Sequence, residues 1–78
     1  MLQTASVIFR EIERPDGWRA DVLVDGVLCG HIDHAGDGYR YFEGPHNDVS
    51  WSFADPDLPR LEARIRTLLS IESLLDTM

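Results

Sequence analysis

The 78 residues carry 14 acidic and 7 basic side chains, a formal charge of −7, and 44% of them are hydrophobic. A chain of this length folds around one thin core and buries about 60–65% of its extended surface, which excludes large catalytic folds and clefts between two domains. All seven bases are arginine, so Schiff-base chemistry and a phosphate-loop lysine are excluded as well.

Cys29 is the single cysteine and cannot close an intrachain bridge, which points to a reducing, cytoplasmic setting. The opening MLQTASVIFR lacks a basic segment followed by a long apolar stretch, and no apolar run exceeds three residues, so neither targeting nor membrane spanning is expected. Residues 1–59 hold eleven acids against four arginines, whereas residues 60–78 hold three of each. That excess opposes direct nucleic-acid binding, which relies on cations displacing counterions from phosphate. It suits a basic protein partner, or a solubilising charge with no partner at all.

From Thr4 to Glu13 the sequence alternates, with Val7 and Phe9 on one side and Ile8 and Ile12 on the other, as a strand requires. Pro15–Gly17 makes a turn, and a second strand runs from Trp18 to Val24. Asp25-Gly26 between two apolar triplets is a strong hairpin signal, because both central residues of a type I′ turn need positive φ. The third strand ends at His34–Gly38, the aromatic run Tyr39–Phe42 forms a fourth, and Asp48–Phe53 reads as a fifth through alternation of Val49, Trp51 and Phe53 with Ser50 and Ser52.

Asp55 is placed to cap a helix with Pro56 at its first position, and the helix continues to about residue 75. Its apolar stripe comprises Leu58, Leu61, Ile65, Leu68 and Leu69, and Ile71, Leu74, Leu75 and Met78 continue at a shifted angle. The expected architecture is therefore one α+β domain spanning 1–78. It is an antiparallel meander of four to five strands over about 4–53, followed by one amphipathic helix over about 56–75 packed on one sheet face. The segment PDLP at 56–59, preceded by Phe53, resembles the PDLP-glycine segment of HicB-type antitoxins. Here Arg60 follows where that family has glycine, and no residue roles are carried over.

A two-residue turn at Asp25-Gly26 with unbroken register pairs Val22 with Cys29, Ala20 with His31 and Trp18 with Asp33. On that expectation these residues face the helix, and Leu23, Leu28 and Ile32 form an uncovered apolar patch on the opposite side. The helix outruns the sheet, so Ile71, Leu74 and Leu75 are further interface candidates. Self-association through these two surfaces is the leading expectation.

The segment from Cys29 to Gly38 contains metal-ligand residue types, and His31, Asp33, His34 and the more distant His46 form the alternative candidate, a ligand or metal site. A calcium loop fails at its third and twelfth positions, Ala35 and Gly44. Cys29 with His31 lacks a third orienting group, and Ser50 and Ser52 lack a nucleophile elbow. No cofactor motif is present, and neither catalysis nor a cofactor is expected. Tyr39, Tyr41, Phe42 and Trp51 are read as core, with a protein interface as the alternative use.

Overall fold

The computed structural model describes residues 6–15 and 17–76, with side chains described as far as Ser70. Five strands follow one another in space as in sequence: β1 (Val7–Arg14), β2 (Gly17–Val24), β3 (Val27–Ala35), β4 (Gly38–Glu43) and β5 (Phe53–Asp55). Every neighbouring pair is antiparallel, and the helix α1 (Leu58–Asp76) packs on the sheet against β1, β4 and β5. This is the expected α+β meander with a C-terminal helix. Residues 4 and 5, included in the expected first strand, lie outside the described residues.

The Asp25-Gly26 hairpin forms as expected, with φ of 51° at Asp25 and 83° at Gly26 and Val24 opposite Val27. Asp25 also ties down the start of β1: Ser6 N–H donates to its carboxylate at 3.0 Å, and its own N–H donates to Ser6 O at 2.9 Å.

The register beyond that turn differs from the unbroken pairing. Leu23 still faces Leu28, but Val22 faces Gly30, so Cys29 is the extra residue of a β-bulge. A slip of one residue sends every later side chain of β3 to the other side of the sheet. Ala20 therefore lies opposite Ile32, Asp21 opposite His31, and Arg19 opposite Asp33. Trp18, expected opposite Asp33, is displaced from that pairing.

Two sets of cross-strand rows result. One side carries Phe9–Val22–Gly30–Glu43 and Glu11–Ala20–Ile32–Tyr41–Phe53. Its apolar members meet Leu61, Ile65 and Leu69 of α1 in the core, with Phe9, Trp18, Val24, Tyr39, Phe53 and Leu58 packed around them. Ile32 is fully buried here (0% exposed) and contributes no uncovered patch. The bulge, invisible in the alternation of β3, is the physical reason for that correction. Trp18 does lie on the helix side as expected, half-buried, with its ring edge-on to Tyr39 at 5.4 Å.

Two local expectations are also corrected. Residues 48–52 form a loop, and only Phe53–Asp55 joins the sheet; Val49 is 92% exposed. Asn47 organises this loop: its side-chain amide donates to Glu43 O at 2.9 Å and Ser50 O at 2.8 Å, and its carbonyl accepts from Val49 N and Ser50 N. At the helix start, Asp57 O accepts the first helical bond, from Leu61 N at 3.1 Å. Asp57 is thus the capping position, and the Asp55 carboxylate holds it by accepting Asp57 N–H at 2.8 Å.

Candidate functional site: the open face of the sheet

Opposite α1, the sheet presents three rows in register. The first is Ile8–Leu23–Leu28, the second Arg10–Asp21–His31–Phe42 and the third Ile12–Arg19–Asp33–Arg40–Ala54. No helix or strand covers these rows among the described residues; only the loop between β4 and β5 reaches over their far end, bringing Asp48 close to His31.

The apolar row is exposed in part. Ile8 is 54% exposed, while Leu23, Leu28 and Ile12 are half-buried. Leu23 and Leu28 thus keep the side expected of them, whereas Ile32 has moved into the core. Ile71, Leu74 and Leu75, the other interface candidates, have side chains outside the described residues.

In the second row Asp21 is held by two guanidinium groups. Arg10 Nη2 donates to Oδ2 at 3.1 Å and Arg19 Nε donates to Oδ1 at 3.0 Å. Burial of Asp21, 7% exposed, pushes its carboxyl up, but the hydrogen bonds and charges of both arginines outweigh burial and hold it below the ordinary aspartate range. Asp21 is consequently an anion at neutral pH, and the two guanidiniums are fixed around it.

His31 continues that row. It is 1% exposed, with its ring stacked on Phe42 at 4.7 Å and an interplanar angle of 7°. Its Nε2 has no hydrogen-bond partner and lies 3.5 Å from Asp33 Oδ2 and 3.7 Å from Asp48 Oδ1. Asp33 and Asp48 line a cleft of about 470 Å³ together with Arg14, Arg19, Arg40 and Phe42. Arg40 lies 5.6 Å from the ring centroid of Trp51, which is 49% exposed.

The four residues of the alternative site do not gather at one point, although Asp33 and His34 both line the cleft. His31 and Asp33 share the open face, whereas His34, next along the strand, belongs to the helix side and its ring lies 4.8 Å from that of Tyr39. His46 is exposed at the beginning of the loop after β4. Among the described residues no group of three or more His, Cys, Asp or Glu is arranged to hold a metal ion. Cys29 is a free, half-buried thiol at the bulge, its Sγ 3.5 Å from Val27 O.

Sequence reasoning missed the assembly of Arg10, Arg14, Arg19 and Arg40 on one face. The signal was present for three of them, since two-residue alternation carried across the turn between β1 and β2 puts Arg10 and Arg14 on the side of Arg19. Asp48 and Trp51 had no such signal, because their positions depend on the Asn47 loop.

On the helix side, Phe53, Ala63, Thr67 and Leu68 line a shallow apolar groove with Arg60 and Arg64, the latter 4.9 Å from the Phe53 ring centroid. No helix among the described residues is long and apolar enough to cross a membrane. Comparison with protein-family models, curated proteins and solved structures finds no match to this chain.

Proposed function

We propose that this protein is a non-catalytic interaction module that pairs with a second copy of itself through the open sheet face. The observation that carries this reading is the uncovered row Ile8–Leu23–Leu28 beside two rows of mixed charge. Exposed apolar rows rimmed by polar groups are costly to leave in water and are features of protein contacts.

Charge favours a copy of the same chain as the occupant. The open face holds four arginines (Arg10, Arg14, Arg19, Arg40) against three aspartates (Asp21, Asp33, Asp48), one positive charge in excess. The sequence's other three arginines and eleven acids leave eight negative charges on the remainder. Most of the surface therefore repels a second copy, while the open face can set opposite signs against each other in an isologous contact. The free thiol of Cys29 suits a reducing cytoplasm, and the helix end carrying Ile71, Leu74 and Leu75 is the second candidate contact.

Sedimentation velocity at micromolar concentration tests the proposal. A dimer is expected. Leu23→Glu should yield a monomer with unchanged circular dichroism, whereas Leu75→Glu should do so only if the helix end makes the contact. A strict monomer that binds no hydrophobic dye overturns the reading.

A further inference from the structure

We propose that the outer edge of β1 takes up an antiparallel strand from a basic segment of a different protein, adding one strand to the sheet. This goes beyond self-association, because the contact lies along the rim of the sheet, away from its open face, and calls for a partner of another kind.

β1 ends the sheet order, and among the described residues no strand pairs with its outer side. The ladder with β2 decides which backbone groups point outward. Asp25 N–H donates to Ser6 O at 2.9 Å, which makes Ser6 and Asp25 a hydrogen-bonded pair. In an antiparallel ladder such pairs alternate with pairs that exchange no bonds, so Ile8, Arg10, Ile12 and Arg14 are the residues bonded to β2. The N–H and C=O groups of Val7, Phe9, Glu11 and Glu13 therefore face away from the sheet. Arg66 agrees with this direction: its Nη1 donates to Val7 O at 2.8 Å, and its Cζ lies 5.1 Å from the Phe9 ring centroid. Beyond that cap, the backbone from Phe9 to Glu13 is a template for strand addition.

The side chains along the edge select the partner. Glu11 and Glu13 are exposed on the helix side, and among the described residues neither has a base within ion-pairing distance. Glu62, half-buried on α1, adds a third acid: burial raises its carboxyl, the charge of Glu11 raises it further, and Arg66 compensates only in part. A residue added directly opposite Glu11 or Glu13 projects to that same side, where a lysine or arginine meets uncompensated carboxylates. A second copy cannot supply the base. Paired edge to edge, its β1 brings only Val7, Phe9, Glu11 and Glu13 to that side, and its other edge strand, β5, consists of Phe53, Ala54 and Asp55. The acids that deter a second copy from this edge thus admit a basic strand, and the overall charge of −7 draws one in.

The test combines amide hydrogen exchange by NMR with titration of the peptide acetyl-Thr-Lys-Val-Lys-Val-Lys-Thr-amide at constant ionic strength. In the free protein the amides of Phe9, Glu11 and Glu13 should exchange fast while those of Ile8, Arg10 and Ile12 are protected, and saturating peptide should slow the first set about tenfold or more. The same peptide with glutamate in place of lysine should bind about tenfold more weakly or worse. So should the lysine peptide methylated on its lysine backbone amides, which keeps the charge but loses the strand hydrogen bonds. Glu11→Lys combined with Glu13→Lys, both at exposed positions, should leave the fold intact and weaken binding about tenfold or more. Protected Phe9, Glu11 and Glu13 amides in the free protein overturn the proposal, because the chain itself or a second copy then covers the edge. No saturable binding of the lysine peptide, binding of either control peptide as tight as the lysine peptide's, or undiminished binding by the double variant also overturns it. Dimer formation is read separately by sedimentation, so the failure of one reading is not mistaken for the failure of the other.

Discussion

Val22 on β2 faces Gly30 on β3, and the Tyr41 ring occupies the space where a Gly30 side chain would stand. A Cβ placed at Gly30 would lie 2.9 Å from Tyr41 Cε1 and 2.4 Å from Phe42 O. The second contact is with backbone and cannot be relieved by turning a side chain. Tyr41 is fully buried, so the bulge at Cys29 delivers a glycine to the one place where this ring needs room.

Gly30→Ala should therefore destabilise the fold by about 1–3 kcal/mol, the usual range for overpacking a core. Cys29→Ala, at the half-buried bulge residue, should cost much less. Urea unfolding of the two variants checks the order; equal losses would show that Tyr41 does not depend on the glycine.

Ile32→Ala removes a fully buried side chain from the layer between sheet and helix. A loss of about 2–5 kcal/mol is expected, enough to unfold much of a small domain at ambient temperature. Leu23→Ser, across the sheet, should keep a cooperative melt and reduce association only. Thermal denaturation with sedimentation distinguishes them, and a reversed pattern would mean that the register has no bulge.

Asp21 ties the open face together electrostatically. Its carboxyl titrates below its ordinary value of 3.8, so the stability it confers is present above that value and is lost as pH falls below it toward the folded-state value. Asp21→Asn should cost about 1–3 kcal/mol at neutral pH, with the difference from the parent protein shrinking in strong acid. Denaturant titrations across this range provide the check.

Glu62 behaves oppositely. Burial raises its carboxyl, repulsion from Glu11 raises it further, and Arg66 only partly compensates. A raised carboxyl binds its proton more tightly in the folded state, so folding loses stability as pH rises from its ordinary value of 4.5 through the folded-state value. Glu62→Gln should raise the melting temperature at neutral pH and lose that advantage below pH 4.5. Melting curves at neutral and acidic pH would expose a wrong sign directly.

Trp18 and Trp51 should separate by solvent access. Trp18 packs half-buried against Tyr39, whereas Trp51 sits in the loop beside Arg40. Trp18→Ala is expected to cost about 2 kcal/mol, less than a fully buried tryptophan, and Trp51→Ala within about 0.5 kcal/mol of nothing. Chemical denaturation of both variants measures the contrast.

The sequence by itself determined the order of strands, the Asp25-Gly26 turn, the antiparallel meander and the C-terminal helix. Each is written in short-range patterns: two-residue alternation, residues able to take positive φ, and an apolar stripe of helical period. It also determined the side of Leu23, because that residue precedes the bulge. Tertiary structure alone decided that Ile32 is core and that His31 faces two aspartates. Alternation in β3 does not show the bulge; its one local mark is Gly30 inside the strand, next to the bulge and under Tyr41, a residue from a different strand. Similarly, Val49 and Trp51 alternate as strand residues do, but four hydrogen bonds to the Asn47 side chain hold them in a loop over the sheet. Local periodicity specifies which way a side chain points relative to its neighbours in the chain; which face is buried is fixed by packing between segments, where a shift of one residue exchanges the two.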